Sequence, residues 1–254
     1  LYSPPEKRRP GSEPQRDLAG RLALGAVAAL VVAVPFTLLA VLVRGKWEPL
    51  ARLDAEVANQ LHGVALARPW LVHTLDVLAD VLDPWVFRAL VIGVAVWLWR
   101  RGAKRLALWA VVTTALGGVL GVLLKVIVAR ARPTFDESVA HANGSSFPSG
   151  HALNSFLCVG VLLLVFLPVL TTAGRALAYG VGGFVVLLTG FDRVALGVHY
   201  VSDVVAGWIV ALACIVGTAG AFEIWRREHG RRPSDLSDGV EPDSAPELSD
   251  RRRP

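Results

Sequence analysis

The stretch Phe191–Asp203, FDRVALGVHYVSD, lies between two long apolar runs and brings Asp192, Arg193, His199 and Asp203 into thirteen positions. With a helix starting near Val198, His199 and Asp203 stand at i and i+4. At that spacing a carboxylate can hold one imidazole nitrogen and leave the other free. Asp203 heads the run VVAGWIVALACIVG. A carboxylate in a membrane-spanning helix is penalised by about 2.5–3.5 kcal/mol near the centre, less near the end, so this one calls for a partner. A His/Asp pair that only closes a helix end would fit the same residues, and the rest of the chain has to decide.

Composition makes those apolar runs membrane spans. Of 254 residues 54% are hydrophobic and only 19% charged, with 24 glycines and a mean hydropathy of +0.51, too apolar for an ordinary soluble domain. The expected class is all-α: a polytopic membrane bundle of six transmembrane helices with added interfacial helices. The net charge of +5 sits mostly in tails and short loops beside apolar runs. Membrane orientation explains that placement better than a nucleic-acid partner. Cys158 and Cys214 both fall inside apolar runs and read as small packing residues.

In chain order, residues 1–20 are rich in Pro and Arg and are expected to be a disordered cytoplasmic tail. The first span is Leu22–Val43, too long for a signal-peptide core and lacking a small-residue cleavage site. Residues 44–84 do not cross: Trp47–Leu61 and Pro69–Leu82 carry apolar residues at helical spacing and are expected to lie at the outer interface. His73, Asp76 and Asp80 share one face there and read as a solvated face, not a metal site. Further spans follow at about 85–99, 106–128, 151–170, 176–190 and 200–222. The membrane domain covers 21–227, and 228–254 is expected to be a second disordered cytoplasmic tail. Met is absent, at position 1 as well, which fits a trimmed start or a non-standard first residue.

Six spans place both termini on one side. Making that side cytoplasmic gathers Arg100, Arg101, Lys104, Arg105, Arg175, Arg226 and Arg227 with the basic tails, as the positive-inside rule asks. Apart from Arg44, Lys46, Arg52, Arg68 and Arg88 in or beside the interfacial segment, the basic residues left on the outer face are Lys125, Arg130, Arg132 and Arg193. Orientation does not account for these four, so a local anion is the natural candidate.

Three stretches meet at that outer face. Lys125 and Arg132 are two helical turns apart and can share a face as the third span emerges. Pro148-Ser149-Gly150-His151 opens the fourth span, where free backbone N–H groups, the positive helix end, a glycine and a hydroxyl make an anion seat. Arg193 ends the fifth span, beside His199 and Asp203 at the start of the sixth. These motifs, Lys125-x6-Arg132-Pro133, Pro148-Ser149-Gly150-His151 and Arg193-x5-His199-x3-Asp203, closely resemble those of the type 2 phosphatidic acid phosphatases, lipid phosphate phosphatases that share an active-site plan with vanadium haloperoxidases. The resemblance covers about Leu106–Phe222. It implies that His199 attacks phosphorus to form a phosphohistidine, that Asp203 orients it, and that His151 protonates the departing alcohol. Lys125, Arg132, Ser149, Gly150 and Arg193 would hold the phosphoryl oxygens.

Chemistry asks for the same set. Phosphoryl transfer spreads negative charge over three equatorial oxygens, so fixed donors and cations carry most of the catalysis. An alkoxide leaving group needs an acid, which His can be near neutral pH. No cofactor is required, and the motifs contain no carboxylate cage for Mg²⁺. The family usually has Ser before the third-motif arginine, whereas this chain has Asp192, expected to face away or to brace Arg193 in a bidentate pair.

A site at the outer face among lipid-facing helices favours an amphiphilic substrate: a polyprenyl diphosphate, phosphatidic acid or a phosphatidylglycerol phosphate, with surrounding membrane lipids as the other partners. Segment 44–84 is placed to act as a selectivity lid. A vanadate-dependent haloperoxidase-like enzyme and a non-enzymatic lipid transporter are the alternative readings, and no motif fixes an oligomeric state.

Overall fold

Proline and glycine set most of the helix boundaries. The computed structural model describes residues 31–140, 142–231 and 233–249. Helix α1 (Val31–Arg44) is followed by α2 (Glu48–Leu66), α3 (Pro69–Val81), α4 (Pro84–Arg101) and α5 (Lys104–Val128). After a long loop come α6 (Gly150–Phe166), α7 (Thr172–Ala195), α8 (Val201–Glu228) and the single turn α9 (Ala245–Leu248). Pro69 and Pro84 each stand first in a helix, where the missing N–H is no loss. Asp83, extended before Pro84, caps α4 by accepting the Trp85 N–H at 2.7 Å. At the far end of α4, Gly102 takes a left-handed φ of 94° and turns the chain into α5.

Among the described residues, five helical stretches are long and apolar enough to cross a membrane: Pro69–Arg101, α5, α6 with its following 3-10 turn, α7 and α8. The protein is an all-α, multi-pass membrane bundle. The first expected span, Leu22–Val43, begins outside the described residues, and its described part is α1. The expected tail 1–20 also lies outside them. Helix α6 is the hub, with half of its apolar window buried against 22% for α5 and α7. Leu153, Leu157, Cys158, Val161 and Val165 of α6 pack into the two main cores, which α4, α5 and α8 complete. The outward faces of the peripheral helices, such as Val119, Val122, Leu123 and Val126 of α5, remain exposed, as lipid contact requires.

One end of the bundle is basic. It gathers the C-termini of α4 and α8 and the N-termini of α5 and α7, with Arg105 over the Trp225 ring and Lys104 over Trp99. The opposite end holds the C-termini of α5 and α7 and the N-termini of α6 and α8, and α2 and α3 pack onto it. Asp54, Ala58, His62 and Ala65 form the buried face of α2. Leu75 of α3 joins Ala195, Leu196 and Val198 in a small core that supports the loop before α8. His73, Asp76 and Asp80 are exposed.

The C-terminal segment departs from the expectation of disorder after 228. Residues 233–249 fold back over the basic end, where Val240 and Leu248 are buried in the core of α4–α6. Arg226, itself buried, donates to Ser234 Oγ, to Asp243 Oδ2 at 3.0 Å and to the Val240 carbonyl at 3.4 Å. The segment is polar in composition, but its few apolar side chains reach the core, and a buried guanidinium supplies partners for its carboxylate and carbonyl groups.

Candidate active site at the end opposite the basic residues

Helix α8 begins at Val201, three residues later than the spacing indicates, because Gly197 (φ 71°) breaks the chain after α7 and leaves His199 in the connecting turn. A side chain at 197 would be strained at that φ, and its Cβ would come within 2.6 Å of Phe135 and 2.9 Å of His62. His199 and Asp203 therefore meet across the first turn of α8, with His199 Nδ1 3.4 Å from Asp203 Oδ2. This is close electrostatic contact but poorly aligned as a hydrogen bond, and Nδ1 has no well-formed partner. Such pairs are often long before substrate arrives. Asp203 is held firmly elsewhere: Oδ2 accepts the Tyr200 N–H at 2.9 Å, and Oδ1 accepts from Arg130 at 2.6 Å.

The other ring nitrogen fixes the tautomer. Arg132 Nη1 lies 3.2 Å from His199 Nε2. A guanidinium only donates, so Nε2 accepts and the neutral ring carries its proton on Nδ1, toward Asp203. Burial pushes the His199 pKa down to about 4; the Asp203 carboxylate raises it in opposition, while Arg132 and Lys125 lower it. His199 is thus neutral across the ordinary pH range, with a lone pair aimed at a cationic group.

The phosphate-motif cations arrive by a route that spacing does not show. Helix α5 ends at Val128 with Ala129 left-handed (φ 49°), so Arg132 is in the loop and does not share a helix face with Lys125. The two meet at one loop carbonyl, Ser145 O, which accepts from Lys125 Nζ at 2.6 Å and from Arg132 Nη2 at 3.4 Å. Arg132 also donates to the carbonyls of Val198, Asn143 and Gly144, which fixes the fork against the turn carrying His199. Ser149 caps α6 by accepting the Ala152 N–H at 3.4 Å, and its own N–H donates to the Asp203 carbonyl at 2.9 Å. The start of α6 is thereby tied to the start of α8, and the built Cβ of Gly150 would lie 3.9 Å from Lys125 Cε.

Arg193 joins the two histidines. Its Nη1 is 3.3 Å from His151 Nε2, and its carbonyl accepts the His199 N–H at 3.2 Å. Asp192 turns back along the helix, and its Oδ2 accepts from both Nε and Nη2 of Arg193. Asp192 thus braces Arg193, but both donors meet a single carboxylate oxygen and Oδ1 takes no hydrogen bond, so the bidentate pair expected from the sequence is not formed. His151 has a second neighbour, Asp83 Oδ2, at 3.7 Å from Nε2.

The three motifs therefore gather Lys125, Arg132, Ser149, Gly150, His151, Arg193, His199 and Asp203 at one end of the bundle. Sequence reasoning missed two further polar residues there, Asp54 and Asp83, and counted Arg130 among the cations available to an anion. Arg130 is occupied by Asp203, Ser202 and Asp54, and so is not part of the cation set left for an anion. Asp54 is 1% exposed on α2, its sequence signal being a charge on a face otherwise made of Ala58, His62 and Ala65. Asp83 was legible only as a residue before proline.

Comparison with known proteins gives the family of the chain. The family model of the PAP2 superfamily matches residues 106–227. Phosphatidylglycerophosphatase B of Bacillus subtilis (strain 168) is 30% identical over 167 residues, covering 63% of this chain and 79% of that protein. Undecaprenyl-diphosphatase BcrC of the same organism is 30% identical over 169 residues, with the same coverages. Lipid A 1-phosphatase of Rhizobium etli is 34% identical over 118 residues, 41% of this chain and 47% of that one. The crystal structure of a transmembrane PAP2-type phosphatidylglycerolphosphate phosphatase from Bacillus subtilis shares the fold, with a TM-score of 0.70, 22% identity and coverage of 78% and 98%. With relatives 30% identical to it over 79% of their own length, the chain belongs to the PAP2 superfamily.

Proposed function

We propose that the protein is an integral-membrane lipid phosphatase that hydrolyses a lipid phosphate or diphosphate through a phosphohistidine. The observation that carries the reading is His199 Nε2, neutral, buried and 3.2 Å from the Arg132 guanidinium, with Asp203 behind Nδ1. In the first step Nε2 bonds to phosphorus, the bond from phosphorus to the lipid oxygen breaks, and His151 gives that oxygen a proton. Asp203 stabilises the charge on the His199 ring. In the second, His151 takes a proton from water, which attacks phosphorus and breaks the P–N bond. Lys125, Arg132, Arg193, the Ser149 hydroxyl and the Gly150 backbone hold the phosphoryl oxygens.

The basic end is cytoplasmic in this reading, which places both termini inside and the site at the outer face. The relatives' names span phosphatidylglycerophosphate, undecaprenyl diphosphate and lipid A, so the substrate class is a membrane-anchored phosphate or diphosphate ester. Purified protein in detergent with EDTA, offered a panel of lipid mono- and diphosphates, should release inorganic phosphate from at least one. The His199→Ala variant should release none above background. An inert wild type, or an active His199→Ala, overturns the reading.

A further inference from the structure

Helix α2 reaches the nucleophile through two charged residues that the mechanism above does not use. Asp54 lies 76 residues from Arg130 in sequence, yet its Oδ2 accepts from Arg130 Nη2 at 2.8 Å. The same carboxylate accepts the Ser202 N–H at 3.0 Å and the Ser202 hydroxyl. It therefore caps the N-terminus of α8 from another helix, where the N-cap residue Tyr200 offers no side-chain cap. Arg130 Nη1 donates to Ser202 Oγ at 2.7 Å and to Asp203 Oδ1 at 2.6 Å, and its guanidinium carbon sits 4.1 Å from the centre of the Tyr200 ring.

Asp54, Ser202 and Asp203 are 1%, 4% and 0% exposed. Two carboxylates buried to this degree require a shared cation. Burial works against the charge on Arg130, yet Asp203 and Asp54 more than offset it and hold its pKa above the ordinary value. Arg130 grips the Asp203 oxygen that does not face His199, so it cannot serve as a ligand to a phosphoryl group at His199 Nε2 while that grip lasts.

We propose that Asp54 and Arg130 are positioning residues that lock the Asp203 carboxylate onto His199, so that interfacial helix α2 completes the nucleophile. This rests on the phosphatase reading and adds Asp54, outside the family's three motifs, and Arg130, at an unspecified position within the first. Losing the Arg130 cation frees Asp203 to rotate and to favour a protonated His199. Losing the Asp54 charge loosens Arg130 and the α8 cap but leaves a cation beside Asp203. The charged groups around His199 are Asp203 on α8, Lys125 on α5, Arg132 in the loop, and His151 and Arg193 across the site. Those around Arg130 are Asp54 and Asp203, with Arg44 and Lys46 lining the same cleft.

The test uses the full chain in detergent with the variants Arg130→Gln, Arg130→Lys, Asp54→Asn and Asp54→Asn/Arg130→Gln, and Arg52→Gln on the exposed side of α2 as control. Arg130→Gln is expected to lower kcat about 10–100-fold with KM within about twofold, the range for a hydrogen-bonded charge holding a catalytic group. Arg130→Lys should recover part of kcat, and the double variant should be no worse than Arg130→Gln. An effect confined to KM, additive losses, or wild-type kcat in a folded Asp54→Asn protein would overturn the proposal. If wild type releases no phosphate from any lipid, the phosphatase reading fails separately. The brace is then read from the pH dependence of His199 carbethoxylation by diethyl pyrocarbonate, mapped by mass spectrometry. Its midpoint should rise by about half a pH unit or more in Arg130→Gln, and an unchanged midpoint would overturn the brace.

Discussion

Asp83 places Oδ2 3.7 Å from Nε2 of His151 while its Oδ1 accepts the Trp85 N–H at 2.7 Å. One carboxylate thus caps α4 and faces the group proposed to protonate the leaving oxygen. Before reaction Arg193 donates toward the same Nε2, an arrangement suited to the neutral ring. When a phosphoryl group engages Arg193, Asp83 remains as the anion able to support the imidazolium. Asp83→Asn keeps an amide oxygen for the cap and removes the charge. It should lower kcat about tenfold with an alkyl leaving group, a fraction of the full general-acid effect, and scarcely at all with p-nitrophenyl phosphate, whose leaving group needs no proton. Equal losses on the two substrates would remove Asp83 from this role.

Asp203→Asn tests the orienting contact. The amide cannot hold the Nδ1–H tautomer with the same charge, and comparable changes in hydrolytic triads reduce kcat about 10⁴-fold. Phosphate release is the assay, and a loss below about tenfold would show that Arg132 alone suffices to set the tautomer.

The acid limb of kcat/KM should lie near pH 4. An unperturbed histidine titrates near 6.5, but the folded-state value for His199 is lowered to about 4, so the proposed nucleophile stays deprotonated until the pH falls through that value. The linkage has the matching sign: the unfolded chain takes up this proton near pH 6.5 and the folded site refuses it, so stability falls as pH drops from about 6.5 toward 4. A kcat/KM profile corrected for substrate ionisation, beside thermal midpoints over the same range, measures both.

Gly207→Ala should push α8 away from α6, the helix that carries His151. A Cβ at 207 would meet the Ser149 carbonyl at 2.8 Å and the Leu153 N at 3.0 Å, both backbone atoms that cannot swing aside. Overpacking of this kind costs about 1–3 kcal/mol. The thermal midpoint should fall and kcat should fall with it, because Ser149 N and the Asp203 carbonyl are joined across the same contact. A variant with unchanged melting and turnover would show that α6 and α8 can slide apart freely.

What could be read from the sequence divides along a physical line. Apolar runs gave the bundle, since lipid forces each span to be long and apolar, and motif spacing named Lys125, Arg132, Ser149, Gly150, His151, Arg193, His199 and Asp203, which all lie at one end. Spacing misplaced local geometry where the backbone breaks: Ala129 puts Arg132 off the helix, and Gly197 delays α8 to Val201. It was blind to partners set by tertiary packing. Asp54 on an amphipathic helix looks like a solvent-facing charge until α2 is laid on α8, and Arg130 looks like a free cation until its two carboxylates are in view. The segment 233–249 was hidden because Val240 and Leu248 are few among polar neighbours, and periodicity registers nothing from two residues.

That folded-back segment bears on how the protein should be handled in the laboratory. Shortening it at Gly230, a natural choice for trimming a charged terminus before crystallisation, would strip Val240 and Leu248 from the apolar surface they cover around α4–α6. The bared patch would face aqueous buffer, not the detergent belt, and invite self-association. Shortened variants should therefore elute as aggregates in size-exclusion chromatography, whereas full-length chains stay dispersed.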